Sequence, residues 1–151
     1  MATSVMGISN FERFFRRAAS LDVDKDDLER YREFVNHKLY DLLVIGEAHA
    51  SDNQREVVEP SDLPITKGLQ ESIHEFRGLD EEVELRPILE QLAMLPQLDR
   101  PLAEATEARL PEIVGGLSLA LARTFTIVER KLKNPSSEHW ERAFRIFDLL
   151  L

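Results

Sequence analysis

The sequence predicts an all-α protein, and three observations support this class. Apolar residues recur at spacings of three and four along almost the whole 151-residue chain, which is the spacing of one face of an α-helix. No segment shows the strict alternation and β-branched enrichment that a half-buried strand requires. Turn-forming residues instead divide the chain into helix-length pieces. These turns fall at residues 22–27, 60–64, 96–101 and 134–137.

Composition and charge restrict the domain organisation and the kinds of site that the chain can have. The chain has 19 basic and 28 acidic side chains, a formal charge of -9 and 43% apolar residues. A chain of this length buries roughly two-thirds of its unfolded surface, which is enough for one compact domain over residues 1–151. Cysteine is absent, which excludes thiolate nucleophiles, disulfides and cysteine zinc sites. Because no membrane span or signal peptide is recognisable, we expect a cytoplasmic protein.

The first half predicts a short, a long and a short helix. Ser9 is a suitable N-cap for a helix over about residues 9–20. A long helix follows, beginning at residue 26 or 27 and ending near residue 52, with an apolar stripe at helical spacing. Ser61 is expected to cap a third helix that ends near Gly78. The stripe of the long helix comprises Leu28, Tyr31, Val35, Leu39, Leu42 and Ile45.

The second half predicts the same plan with departures. Residues 81–95 favour a short helix that is broken or bent near Pro87, a residue expected in the first turn of that helix. Residues 102–132 favour a second long helix, in which Pro111 either follows the true start at Leu110 or kinks the helix. Ser136 is expected to cap a final helix. The apolar face of that helix contains Trp140, Phe144, Phe147 and Leu151.

Gly115 and Gly116 lie in the middle of the second long helix. Each glycine costs a helix interior about 1 kcal/mol relative to alanine. The usual compensation is the close approach of another backbone. We therefore predict a helix crossing at these two residues.

A short-long-short helix set that occurs twice, at about 8–78 and 80–151, is the layout of the histone fold. Residues 11–73 resemble an archaeal histone without a gap. The most specific feature is Arg55 followed seven residues later by Asp62, between a long helix and a short one. In histones such a pair fixes this loop, and the second repeat lacks it. The segments that carry the resemblance are 11–18, 23–26 and 55–62.

Over its whole length the chain resembles a family of bacterial and archaeal tandem-histone proteins of unestablished function. The resemblance implies an intramolecular pseudo-dimer whose long helices cross antiparallel at Gly115 and Gly116. It implies a non-catalytic protein-interaction or nucleoid-associated module without a cofactor. Histone pairs also associate further through the region equivalent to residues 48–62. Asp52 occupies the position at which archaeal histones place a bridging histidine.

DNA binding is an alternative function. Histones hold DNA by neutralising phosphates and by inserting arginines into the minor groove. Arg13, Arg16 and Arg17 lie where the family places basic contacts to DNA. However, both halves of the chain carry more acidic than basic side chains, whereas a nucleic-acid footprint is a clustered basic face. Charge therefore disfavours DNA binding. The first loop adds acidic residues at Asp22, Asp24, Asp26 and Asp27.

A metal-dependent helical enzyme is the second alternative. Glu71 and His74 have the E-x-x-H spacing of di-iron helix bundles, which require two such motifs and two further glutamates. The sequence has one such motif. It also lacks a nucleotide-binding glycine loop and a nucleophile elbow. We therefore predict no catalytic residue, no metal site and no cofactor.

Overall fold

The computed structural model describes residues 8–79, 90 and 94–151, and the regular structure of these residues is helical. The all-α class is confirmed, because the described residues contain five α-helices and a 3-10 turn at Pro60–Asp62, with no β-strand. The predicted helix at 81–95, with Pro87, lies outside the described residues except for parts of its end. The helices are α1 (Ile8–Ala19), α2 (Lys25–Asp52), α3 (Lys67–Gly78), α4 (Glu104–Val128) and α5 (Ser137–Leu150).

Side-chain caps fix where α2 and α5 begin. The carboxylate of Asp24 accepts hydrogen bonds from the backbone N–H groups of Asp26 and Asp27. The carboxylate of Asp27 accepts one from the Asp24 N–H in return, at 3.0 Å. This capping box starts α2 slightly earlier than predicted, since it satisfies N–H groups that have no partner within the helix. Ser136 caps α5 as predicted.

Two predicted caps are wrong. Ser9 lies inside α1 rather than before it. Ser61 belongs to the 3-10 turn, and Thr66 caps α3 instead. Pro64 explains the difference, because a proline disfavours the α conformation of the residue before it. Leu63 is accordingly extended, with a ψ of 136°.

The second long helix, α4, lies at the centre of the fold. It runs from Glu104 through Pro111, so of the two alternatives for Pro111 the start at Leu110 is wrong. It contacts α1, α2, α3 and α5. By length and composition it is the one helix among the described residues that would suit a membrane span, yet 56% of the relevant window is buried. Packing against four helices accounts for its apolar composition.

Aromatic side chains join the first and last helices to the core. The rings of Phe11 and Tyr31 lie 5.1 Å apart, and those of Phe15 and Trp140 lie 6.3 Å apart. Phe125 of α4 packs edge-on against Trp140 at 4.8 Å. These five rings are fully or almost fully buried. Both halves of the chain therefore contribute to one hydrophobic core.

Candidate functional site

Arg55 and Asp62 form a bidentate ion pair across the loop between α2 and α3. The two guanidinium nitrogens lie 2.5 and 2.6 Å from the carboxylate oxygens. The carboxylate is buried and also accepts a hydrogen bond from the Glu59 N–H at 2.8 Å. His49 contacts the backbone carbonyl of Asp62 at 2.7 Å through its Nδ1 atom. The ion pair thus stabilises the loop internally, and His49 joins the loop to the last turn of α2.

This loop lies beside the segment that precedes α4. The Val58 N–H donates to the Pro101 carbonyl at 2.9 Å, and the Ala103 N–H donates to the Val58 carbonyl at 3.0 Å. These bonds form an isolated parallel bridge between Val58 and Leu102. The buried Thr106 hydroxyl donates to the same Val58 carbonyl at 2.6 Å. The loop between α2 and α3 is thereby attached to the start of α4.

The loop between α1 and α2 lies beside the segment that follows α4. The Asp22 N–H donates to the Lys133 carbonyl at 2.7 Å. Nearby, the guanidinium of Arg30 donates to the Ser137 hydroxyl at 2.7 Å, at the first turn of α5. Residues far apart in sequence therefore meet at this end of the molecule.

Five exposed cations lie on the segments that adjoin this contact, and we call them the basic end. Arg16 lies 3.9 Å from Asp22, whose backbone binds that of Lys133. Arg13 is exposed one turn earlier on α1. The sequence analysis considered the α1 arginines alone and overlooked three cations in the four residues 130–133. The members of the basic end are Arg16, Arg17, Arg130, Lys131 and Lys133.

The carboxylates of the acidic first loop differ in their exposure to solvent. Asp24 caps α2, and Asp27 is buried. The indole N–H of Trp140 donates to the Asp27 carboxylate at 2.8 Å. Burial raises the pKa of Asp27 above its ordinary value of 3.8, although the Asp24 and Trp140 hydrogen bonds oppose this shift. The carboxylate of Asp27 therefore faces the protein interior and adds little negative charge to the surface of this loop.

The raised pKa of Asp27 leads to a testable pH dependence. We expect Asp27 to titrate above 3.8, and Trp140→Phe to raise its pKa further, because the hydrogen bond that it removes favours the charged form. A raised carboxyl pKa means that ionised Asp27 opposes folding above the folded-state pKa. This penalty vanishes below the unfolded-state pKa. Carboxyl-detected NMR titration of the two proteins measures the shift. An Asp27 pKa below 3.8, or one unchanged by Trp140→Phe, would contradict this assignment.

Gly115 and Gly116 form a close helix contact, but with a different partner from the one predicted. A β-carbon on Gly116 would lie 3.0 Å from the backbone nitrogen of Ile73, and one on Gly115 would overlap the ring of Phe76. Both partners belong to α3, so the predicted crossing of the two long helices at this pair is wrong. The glycines remove the side chains that would separate α3 from α4.

The long helices α2 and α4 meet instead at Tyr31 and Ser118. Their hydroxyl oxygens lie 2.6 Å apart in the core. Ser118 donates its hydrogen to the Val114 carbonyl at 2.7 Å, so Tyr31 donates to Ser118. Burial raises the pKa of the Tyr31 hydroxyl. The contact between the long helices therefore involves a tyrosine and a serine rather than the two glycines that the prediction named.

Gly46 is a further close contact that the sequence analysis overlooked. A β-carbon there would lie 2.7 Å from Leu63 and 3.2 Å from Val58. The glycine lets the loop carrying Arg55 and Asp62 pack directly on α2. A single glycine in a helix favours such an approach, but its partner cannot be read from local sequence.

Glu71 and His74 lie on the exposed surface of α3. Glu71 pairs with Lys67 at 3.0 Å on the same helix. Within the described parts of the chain, no three histidine, aspartate or glutamate side chains come close enough to hold a metal ion. The predicted E-x-x-H pair is therefore without further ligands in this region.

A family model described as a domain of unknown function (DUF1931) matches residues 11–148. The chain belongs to the DUF1931 family. The match includes both helix sets, the Arg55–Asp62 loop and the basic end. Family membership thus applies to the whole arrangement rather than to one half.

Solved structures and curated relatives agree with this assignment. A crystal structure of a Thermus thermophilus protein is 50% identical, with a TM-score of 0.93, over 97% of this chain and 99% of the other. A crystal structure of an Aquifex aeolicus protein is 25% identical, with a TM-score of 0.82, over 100% and 99%. A protein of Aquifex aeolicus (strain VF5) described as uncharacterized is 31% identical over 78% of this chain and 75% of its own length. The two solved structures therefore share the fold of this chain.

Proposed function

We propose that this chain is a tandem histone fold in which two helix sets pair as an intramolecular pseudo-dimer. Reciprocal loop contacts support the proposal. The loop after α1 binds the loop after α4, through Asp22 and Lys133, while the loop after α2 binds the segment before α4, through Val58 and Pro101. In a pair related by a two-fold axis, each contact recurs with the roles reversed. The two short-long-short helix sets are the halves that such an axis would relate.

Contacts between helices likewise join the first helix set to the second. Helices α1 and α3 of the first set pack against α4 of the second. Helix α5 of the second set reaches α2 of the first, where the rings of Phe34 and Phe147 lie 4.8 Å apart. The buried Lys38 of α2 pairs with Asp148 of α5. Because one set alone would leave its apolar face exposed, this exchange makes the two sets one folding unit.

We infer that the pseudo-dimer is a non-catalytic, nucleoid-associated module of the cytoplasm, and that the basic end is its contact surface for DNA. The observation that carries this inference is the backbone hydrogen bond between Asp22 and Lys133, which joins the segment with the cations of 130–133 to the loop that follows the α1 arginines. The chain as a whole is acidic, and exposed Asp22, Asp24 and Asp26 flank the basic end, so DNA meets attraction only at the cations themselves. We therefore expect phosphate-directed binding at one end only, without base recognition.

Binding to a duplex of about 60 base pairs, across about 20 to 200 mM salt, tests this function. We expect affinity to fall steeply with salt. Removing one phosphate-binding side chain should weaken binding for all sequences and reduce the logarithmic salt slope by about 1. The decisive variants are Lys131→Ala and Lys133→Ala on one side of the basic end and Arg16→Ala and Arg17→Ala on the other.

The matched control is Arg109→Ala. Arg109 is an exposed arginine of α4 that borders a groove with Glu59 and Glu112, near the loop that carries Arg55. It removes the same charge as Arg16→Ala and should leave the salt slope unchanged. Absence of binding at about 20 mM salt, or equal weakening by Arg109→Ala, overturns the assignment of DNA to the basic end.

Protein association is the second candidate, and exposed apolar side chains favour it. Ile127, Leu149 and Leu150 are 82, 85 and 73% exposed. Large exposed apolar side chains, where they form a patch, mark interaction sites in soluble proteins. In this alternative the module would bind a protein partner, and a chain that fails to bind DNA would retain this function.

A further inference from the structure

The loop between α4 and α5, residues 129–136, carries three of the five cations of the basic end. Its apolar residues Leu132 and Pro135 are buried, whereas the cations at positions 130, 131 and 133 are exposed. The Leu132 N–H donates to the Glu129 carbonyl at 3.0 Å, and the Lys133 carbonyl accepts a hydrogen bond from the loop after α1. Buried side chains and backbone bonds therefore hold this loop, while its cations face solvent.

The imidazole of His139, in the first turn of α5, contacts both ends of this loop. Its Nε2 atom lies 3.0 Å from Oε1 of Glu129, the residue that follows the last turn of α4. Its Nδ1 atom lies 2.9 Å from the backbone nitrogen of Ser136, the N-cap of α5. One ring thus joins the first residue of the loop to the last.

These contacts fix the position of the hydrogen on the ring. A backbone N–H group can only donate, so Nδ1 accepts from Ser136 and carries no hydrogen. A neutral imidazole then carries its hydrogen on Nε2, which donates to the Glu129 carboxylate. The ring is 15% exposed and the carboxylate is 58% exposed. His139 therefore acts as a partly shielded hydrogen-bond bridge and adds no cation to the basic end.

We propose that His139 is a positioning residue for the basic end. By joining Glu129 to Ser136, the ring closes the loop and restricts the backbone that carries the three cations. The inference rests on the proposed contact with DNA, in which phosphates would meet cations whose backbone is already ordered. Such a contact loses less conformational entropy on binding than one that must first order the loop. His139 itself does not touch the DNA and acts through the loop.

His139→Gln separates the bridge from the helix cap. Glutamine is a usual third residue of a capping box, and its side-chain oxygen can accept the Ser136 N–H. A glutamine that caps Ser136 leaves Glu129 without the donor that the ring supplies. The substitution exchanges one neutral side chain for another, so the net charge of the basic end is unchanged. The matched control is His74→Gln, the same change at an exposed position of α3.

Hydrogen exchange on the full chain without DNA tests the bridge. The Leu132 amide reports on the loop, because its bond to the Glu129 carbonyl must open before the amide exchanges. We expect His139→Gln to increase this exchange rate about two- to fivefold, the effect of losing a pair with one exposed partner. Glu129→Ala should have the same effect, and the double variant should exchange no faster than either single variant. Exchange at the parent rate in His139→Gln, or an equal increase in His74→Gln, overturns the proposal.

Binding to the same DNA duplex tests the consequence for the basic end. The affinity of His139→Gln should fall about two- to fivefold, while the salt slope keeps its parent value because all five cations remain. Lys133→Ala should instead reduce the slope by about 1. A reduced slope in His139→Gln would mean that the ring itself contributes a phosphate contact, and it overturns the positioning role. A parent chain that binds no DNA, but whose Leu132 exchange responds to His139→Gln, rejects the DNA contact alone.

Discussion

Replacing Asp62 with alanine is expected to lower the free energy of unfolding by about 1–3 kcal/mol, because the carboxylate is buried while the Arg55 side chain that loses it is 35% exposed to water. The substitution would leave the Arg55 guanidinium without its bidentate partner and the Glu59 N–H without its acceptor. Asp62 is 2% exposed, so water cannot readily replace these bonds. Urea denaturation monitored by circular dichroism measures the change.

The control for this substitution is Glu71→Ala. It breaks an ion pair with Lys67 in which both side chains are largely exposed, and such changes alter stability by about 0.5 kcal/mol or less. The Arg55→Ala, Asp62→Ala double variant should be destabilised by less than the sum of the single variants, because the two residues act on each other. Equal costs for Asp62→Ala and Glu71→Ala would show that the pair does not stabilise the loop.

Gly116→Ala is expected to destabilise the protein by about 1–3 kcal/mol through overpacking. Alanine gains about 1 kcal/mol over glycine in a helix interior, so the net sign tests the packing directly. The new β-carbon would lie 3.0 Å from the backbone nitrogen and 3.1 Å from the α-carbon of Ile73. Backbone atoms cannot rotate away, so α3 must shift. Thermal and urea unfolding measure the destabilisation.

Gly68→Ala is the matched control for that substitution. A β-carbon on Gly68 would meet no atom within 4 Å, and Gly68 lies in the first turn of α3. The same chemical change should therefore be neutral or stabilising there. A stabilised Gly116→Ala protein would mean that α3 and α4 do not approach as closely as described.

Local patterns predicted much of the fold because they act within a few residues. Helical spacing indicated the long helices, and Ser136 identified the start of α5 because its hydroxyl caps the N–H of His139. Arg55 and Asp62 were identified by their resemblance to the Arg–Asp pair of histones, and their charged groups are in direct contact in the structure. Such features depend on side chains that are near one another in sequence.

Tertiary partners could not be predicted in the same way. Gly115 and Gly116 indicated a close approach, yet nothing in the sequence distinguished α3 from α2 as the neighbouring helix. The basic end depends on one backbone bond between residues 22 and 133, which are distant along the chain. Thr66 became the cap of α3 because Pro64 delays the helix. In each case the deciding contact or constraint lies outside the local pattern.

Native-state hydrogen exchange tests most directly the claim that the two helix sets form one interlocked unit. Amides of α2 and α4 near Tyr31 and Ser118 should exchange with the same free energy of opening, equal to that of global unfolding. Tyr31→Phe should lower both protections together, since its hydroxyl bond joins the two helices. Protection of one long helix that persists while the other has opened would contradict the intramolecular pseudo-dimer.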